Sequence, residues 1–117
     1  MHALLGAYSE AGSRWTDEMI SVIDHNLAYA CDFIKENFPD VSVMRPEGTY
    51  MLFLDCSEWC AAHGVSIDEL QKRGVRKGVI WQNGEAFFRK DSIRMNLALP
   101  FSLEQEAFDR LKKFVFV

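Results

Sequence analysis

The sequence predicts an α+β domain in which a small sheet packs against helices. Apolar residues recur at three- and four-residue steps over residues 16–38 and again over residues 102–115, which is the periodicity of amphipathic helices. Short apolar or alternating runs between these helices have the composition of strands. The runs are residues 41–43, 49–55, 79–81 and 92–99. The predicted order is therefore helix, strand, helices, strand, strand, helix.

Length and charge restrict the classes of protein to which the chain can belong. With 117 residues, 49% of them hydrophobic, the chain can form one domain with a substantial core. The net charge of −4 and the lack of a basic patch argue against nucleic-acid binding. The longest apolar run, around residues 51–54, is too short to cross a bilayer, and the N-terminus lacks the regions of a signal peptide. We therefore expect a soluble, cytoplasmic protein that does not bind membranes.

The N-terminal elements are predicted from their caps and breakers. Residues 2–12 look helical, but the pattern ends at Gly12 and no residue caps its start. Thr16 is a good N-cap for the long helix, because acidic residues follow it at the positive end of the helix dipole. Pro39 ends that helix. An uncapped first helix is what a chain cut from a longer protein would show.

The middle of the chain alternates strands with short helices. Residues 49–55 are almost wholly apolar, which is typical of a strand covered on both faces. Ser57 is expected to cap a short helix that ends near His63 and Gly64. Ser66 and Glu69 have the spacing of a capping box, so a second helix should begin there and end at Gly74.

The C-terminal third contains a turn, a strand and a helix. Asn83 and Gly84 form a dipeptide typical of hairpin turns. Pro100 ends the strand over residues 92–99. Ser102 and Gln105 again have capping-box spacing, which predicts the start of the last helix.

The cysteines do not predict a site. There are three of them, Cys31, Cys56 and Cys60, and an odd number among apolar neighbours is typical of small buried residues rather than of a disulfide framework. Cys56, Cys60 and His63 have a spacing that metal ligands can use, but zinc sites need a further pair of ligands, and the other two histidines lie in helical patterns. We predict neither a metal site nor a cysteine–histidine nucleophile.

The sequence also lacks the motifs of a cofactor-binding protein. It contains neither G-x-x-x-x-G-K-[ST] nor G-x-G-x-x-G. Every lysine has polar sequence neighbours, whereas a lysine that bonds covalently to a carbonyl compound needs a desolvated or electropositive setting. We therefore assign no catalytic residue and no cofactor-binding residue to this chain.

Arg94 interrupts an otherwise apolar strand and is the strongest candidate for a binding residue. Strand alternation places Arg94, Asn96 and Ala98 on one face and the apolar residues of "SIRMNLALP" on the other. The planar guanidinium is suited to bidentate capture of a carboxylate, and Asn96 can add a hydrogen bond to the same anion. The alternative is an arginine on an open sheet face that extends its charge into solvent or is paired with an Asp or Glu of the same chain.

Three segments resemble the C-terminal small domain of fold-type I enzymes that use pyridoxal 5'-phosphate (PLP). They are "PEGTYMLFLD" at residues 46–55, "RGVRKGVIWQNGEAFF" at residues 73–88 and "IRMNLALPFSLEQEAFDRL" at residues 93–111. Their order and spacing are most similar to the class I/II aminotransferase-like group, and within it to cystathionine β-lyases of the MalY/PatB type. The opening "AYSEAGSRWTDEMISVIDHN" resembles the end of the large domain running into the long helix.

The resemblance implies a fold, a cofactor and binding residues. The fold is a mostly antiparallel small sheet packed on helices, with residues 1–14 as the end of the large domain or connector and residues 15–117 as the small domain. Arg94 matches the arginine that binds the substrate α-carboxylate, Asn96 a polar position beside it, and Gly48 and Tyr50 a segment near the substrate. The parent would be a homodimeric, PLP-dependent aminotransferase or C–S β-lyase that acts on amino acids.

The chain also departs from the family pattern. The family loop often has proline at the position of Asn83 and glycine at the position of Phe88. The large domain, which supplies the lysine that binds the cofactor, the aspartate facing the pyridine nitrogen and the phosphate-binding groups, has no counterpart here. The resemblance thus implies that this chain alone binds no PLP and is inactive, and it leaves the choice between transamination and β-elimination open.

The alternative is a stand-alone α+β module that binds a ligand or a protein without catalysis. It predicts a closed core and an Arg94 held in a local ion pair. A subdomain of a larger enzyme predicts instead an exposed apolar surface and an Arg94 that faces a cleft. Residues 2–11 discriminate between the two hypotheses, because they should pack on the core only in the stand-alone module.

Overall fold

A computed structural model describes residues 1–117. Two helices, α1 (His2–Ala7) and α2 (Glu10–Asn37), lead into strands β1 (Ser42–Val43) and β2 (Met51–Asp55). Helices α3 (Ser57–His63) and α4 (Ile67–Arg76) follow, and then strands β3 (Gln82–Asn83) and β4 (Ser92–Asn96), which are joined through a 3₁₀ helix (Gly84–Phe87). Helix α5 (Phe101–Arg110) continues into a π-helical turn (Leu111–Val115).

The long helix begins before the predicted cap, so the prediction of Thr16 as its N-cap is wrong. Ser9 has extended backbone geometry and its side chain accepts a hydrogen bond from the Gly12 amide, which is how an N-cap satisfies the first turn. Thr16 lies inside the helix, where its hydroxyl donates to the Gly12 carbonyl at 3.0 Å. Gly12 does not end a helix either: it is where α1 approaches α2 so closely that a side chain would meet the α1 backbone.

The sheet has four strands in the order β1-β2-β4-β3, and every neighbouring pair is antiparallel. The register of the central pair places Phe53 opposite Arg94, and Gln82 of β3 also lies opposite Arg94. The predicted α+β fold with a small antiparallel sheet is thus confirmed. The strand predicted at residues 79–81 is wrong, because the paired residues are Gln82 and Asn83.

One face of the sheet forms the core. Leu52 and Leu54 of β2 and Ile93 of β4 are fully buried in a cluster that includes Ile34 of α2 and Phe108 of α5. The opposite face of β2 presents Met51, Phe53 and Asp55, all only half-buried. The prediction of a strand covered on both faces is therefore wrong, and the second face of the sheet is open enough to carry a binding site.

The remaining helix predictions are confirmed in part. Ser57 is the first residue of α3 and not its cap, because Cys56 holds the cap position. Ser66 caps α4 by accepting from the Glu69 amide at 3.2 Å, as predicted. The helix passes Gly74 and ends at Arg76, and Gly74 instead allows Trp81 to pack against the helix, since a Cβ there would overlap the indole ring.

Helix α5 starts one residue after Pro100, so Ser102 lies within its first turn rather than at its cap.

The N-terminal part of the structure protrudes. None of the α1 residues is buried, and the first buried residue of α2 is Asn26. The exposed stretch carries large apolar side chains, among them Leu5, Trp15 and Ile20, which are 63%, 64% and 55% exposed. None of the helices combines the length and the hydrophobicity that a membrane span needs.

Candidate functional site

Arg94 lies in the centre of the open face of the sheet. It is carried by β4, which is flanked by β2 and β3, so that Phe53, Arg94 and Gln82 form a row across three strands. A shallow cavity of about 370 Å³ opens over Gln82 and Arg94. Its lining residues are Tyr50, Met51, Ile80, Trp81, Gln82, Arg94 and Asn96.

The guanidinium group of Arg94 is held by neutral partners. Its Nη1 donates to Oε1 of Gln82 at 2.6 Å. Its central carbon lies 4.3 Å from the ring centre of Phe87 and 6.0 Å from that of Phe53, both within the range of cation–π attraction. These contacts orient the side chain without neutralising its positive charge.

No carboxylate of this chain lies within ion-pairing distance of Arg94. The ion pairs of the structure use Arg45, Arg73, Arg76 and Arg110 instead. An arginine in a cavity without an acidic partner can take up an anion from outside, and its planar fork fits a carboxylate in two parallel hydrogen bonds. The structure therefore lacks the local ion pair that the stand-alone module predicts for Arg94.

The structure brings together three of the four predicted site residues. Asn96 shares the face and the cavity with Arg94; its Oδ1 accepts from the Ala98 amide at 2.9 Å, and its NH₂ makes no hydrogen bond within the chain. Tyr50 lines the same cavity, and its carbonyl accepts from the Leu97 amide at 2.9 Å, which fixes that wall to the strand. Gly48 lies in the exposed loop before β2, outside the residues that line this cavity.

Sequence reasoning missed the residues that support Arg94. Gln82 and Phe87 contact its guanidinium, but neither stands at a distinctive spacing from it. Asn83 and Gly84 predicted a turn, and Asn83 does start the 3₁₀ helix by accepting from the Glu85 amide at 2.9 Å. Asn83 itself lies in β3 and pairs with Ile93, so the connection to β4 is longer than the two-residue turn that this dipeptide predicts.

The cysteine and lysine predictions concern sites other than this cavity. All three cysteines are free and buried, as expected, and burial raises the pKa of the Cys56 and Cys60 thiols, which keeps them protonated and unreactive. His63 stacks on Trp59, and the two ring centres are 4.2 Å apart. The structure contains no group of three or more His, Cys, Asp or Glu side chains that could hold a metal ion. Every lysine is exposed.

The chain is similar in sequence and in structure to known enzymes. No protein-family model matches the chain. The chain is 34% identical to cystathionine β-lyase PatB of Bacillus subtilis over 113 residues, which is 94% of this chain and 28% of that protein. Its structure superposes on a PLP-bound C–S lyase from Staphylococcus hominis with a TM-score of 0.80 and 29% identity, covering 91% of this chain and 28% of the lyase.

The chain matches the C-terminal portion of the PLP-dependent aminotransferases and C–S lyases. An aspartate aminotransferase of Bacillus subtilis is also similar, with 28% identity over 97% of this chain and 29% of the enzyme. The chain therefore spans less than a third of the length of the aminotransferase and lyase relatives that it matches.

Proposed function

We propose that this chain is the substrate-carboxylate-binding C-terminal domain of a PLP-dependent aminotransferase or C–S β-lyase that acts on amino acids. One observation carries the proposal: the guanidinium of Arg94 lies in a cavity without an acidic partner, on the open face of the sheet. The similarity to enzymes of both activities supports it.

Within this proposal Arg94 binds the α-carboxylate and thereby orients the amino acid. Two charge-assisted hydrogen bonds fix both the position and the plane of the carboxylate, which removes rotational freedom before any bond changes. The NH₂ of Asn96 and the wall formed by Tyr50 lie in the same cavity and complete the contacts that this chain offers. Gly48 is the weakest of the proposed substrate contacts, because it lies in the loop outside the cavity.

The residues of this chain do not by themselves suit PLP. A lysine that holds the cofactor needs a desolvated or electropositive setting, and every lysine here is exposed. We propose that a larger domain of the parent protein binds PLP, which supplies an electron sink for the substrate carbanion when it is bound. The contribution of this chain is binding and orientation.

The same proposal accounts for the protruding N-terminus. Residues 1–14 would belong to the end of the large domain or connector and residues 15–117 to the small domain, a boundary that falls inside α2. The exposed apolar side chains of α1 and early α2 would be covered by the large domain and by a partner subunit of a homodimer. A cytoplasmic location and the homodimer stay predictions of the sequence.

The second candidate is the stand-alone binding module. The closed core cluster of 21 buried residues favours it, because the chain has enough apolar burial for a folded unit. The exposed α1 and the absence of an ion pair at Arg94 favour the subdomain. We therefore rank the enzyme subdomain first.

Replacement of Arg94 in the full-length protein tests the proposal. Arg94→Ala should lower kcat/KM for amino acid substrates about 100-fold, because the substrate carboxylate then loses a charged bidentate partner. The matched control is Arg76→Ala, which removes an exposed arginine of α4 that is paired with Glu69. An unchanged kcat/KM for Arg94→Ala would reject a carboxylate-binding role.

Matched substrates sharpen the same test. A thioether amino acid should be preferred over the corresponding amine that lacks the α-carboxylate, and Arg94→Ala should remove most of that preference. Release of a thiol together with pyruvate and ammonia would identify β-elimination. Transfer of the amino group to a keto acid would identify transamination.

A further inference from the structure

Gln82 and Arg94 form a cross-strand pair on the open face of the sheet. They are Cα partners in the β3–β4 register, so their side chains leave the sheet on the same side. Oε1 of Gln82 accepts from Nη1 of Arg94 at 2.6 Å. This is the one hydrogen bond that the Arg94 side chain makes within the chain.

The hydrogen bond occupies only part of the guanidinium. The group carries five N–H donors, and the bond to Gln82 uses one on Nη1. The edge formed by Nε and Nη2 keeps two parallel donors, which is the geometry that a carboxylate requires for a bidentate contact. The amide of Gln82 thus fixes the arginine without blocking that edge.

An aromatic ring completes the support. The guanidinium carbon lies 4.3 Å from the ring centre of Phe87, which sits in the 3₁₀ helix between β3 and β4. The hydrogen bond and the ring restrain a side chain that otherwise has many rotamers. A neutral amide suits this task better than a carboxylate would, because a carboxylate at the same place would neutralise the guanidinium and compete with the substrate.

We propose that Gln82 is a positioning residue that holds Arg94 with its Nε–Nη2 edge free for the substrate carboxylate. The inference rests on the proposed function, since it assigns a role to Gln82 only if Arg94 binds substrate. It predicts that the acceptor oxygen and the neutral charge of residue 82 both matter.

Two variants of the full-length protein test these two properties separately. Gln82→Met keeps the length of the side chain but removes the acceptor, and we expect KM for amino acid substrates to rise about tenfold with little change in kcat. Gln82→Glu keeps an acceptor but introduces a negative charge beside Arg94, and we expect KM to rise by as much as in Arg94→Ala. Gln105→Met, an exposed change on α5, is the matched control and should leave KM unchanged.

A pH profile distinguishes positioning from a loss of fold. In Gln82→Glu the introduced carboxyl group becomes neutral on acidification, so KM should move back towards the wild-type value as the pH falls, whereas KM of Gln82→Met should show no such recovery. A structural defect would not be reversed by a proton at this site.

Arg94→Ala, measured in parallel, separates the two proposals. If Arg94→Ala raises KM while both Gln82 variants behave like wild type, the positioning role is wrong and the carboxylate-binding role stands. If Arg94→Ala also leaves KM unchanged, the proposed function itself fails. A recovery of KM at low pH that is confined to Gln82→Glu supports the inference.

Discussion

At the scale of single residues, Glu104 is the carboxylic acid with the most unusual surroundings. It stands in the first turn of α5, it is 1% exposed, and neither carboxyl oxygen has a hydrogen-bond partner. Burial raises the pKa of Glu104 from 4.5 to about 7. The folded protein therefore holds a proton at pH values where the unfolded chain has released it.

The sign of the resulting pH dependence follows from that proton. Between pH 4.5 and about 7 the folded state binds more protons than the unfolded state at this site, so the free energy of unfolding falls as the pH rises. From the two pKa values, the free energy of unfolding is expected to fall by about 3 kcal/mol across this interval. The stability that the bound proton of Glu104 contributes is complete below pH 4.5 and is lost above about pH 7.

Glu104→Gln should remove this dependence. We expect the variant to be as stable as the wild type near pH 5 and more stable by about 2 to 3 kcal/mol at pH 8, because it never carries a buried charge. Urea unfolding at a series of pH values measures the difference. Glu106→Gln, an exposed acid of the same helix, is the control. A slope that persists unchanged in Glu104→Gln would show that another group causes it.

At the scale of elements, the segment between β3 and β4 contains a strained residue. Phe88 ends the 3₁₀ helix with φ of 60°, in the left-handed region, and its side chain is fully exposed. The ring gains no packing there, while the backbone conformation is unfavourable for any residue with a Cβ. The position thus suits glycine.

Phe88→Gly should therefore stabilise the chain by about 0.5 to 1 kcal/mol, since the relief of strain exceeds the added flexibility of the unfolded chain. Phe88→Ala keeps the Cβ and the strain and should give no comparable gain. Thermal unfolding of the two variants is the measurement. Equal stability of both would mean that the conformation of residue 88 is not strained.

At the scale of the whole molecule, burial divides the long helix into two halves. The C-terminal half of α2 packs on the core, whereas the N-terminal half extends away from it. Ile34 is 0% exposed and Ile20 is 55% exposed, although both belong to the same apolar pattern. Ile34 is therefore part of the core, whereas Ile20 is part of the exposed apolar surface.

Alanine substitution at these two positions should separate the roles in the isolated chain. Ile34→Ala should lower the free energy of unfolding by about 2 to 5 kcal/mol because it leaves a cavity in the core. Ile20→Ala should change it by less than about 0.5 kcal/mol, as expected for an exposed position. Denaturant titrations of both variants test this, and a large loss for Ile20→Ala would mean that early α2 is packed in solution.

The sequence alone determined the elements whose causes are local. Apolar periodicity, the Ser66 cap and the turn at Asn83 act within a few residues, so the helices, the main strands and the α+β class could be predicted from them. Strand alternation also placed Arg94 and Asn96 on one face, because side chains alternate along any strand.

Only the tertiary structure decided the features that depend on distant parts of the chain. Strand register set Gln82 opposite Arg94, and helix packing enclosed Glu104 without a partner. The open second face of β2 likewise depends on what lies over it, because an apolar run has the same composition whether one face or both are covered. Register and coverage come from contacts between elements far apart in the sequence, which local patterns do not encode.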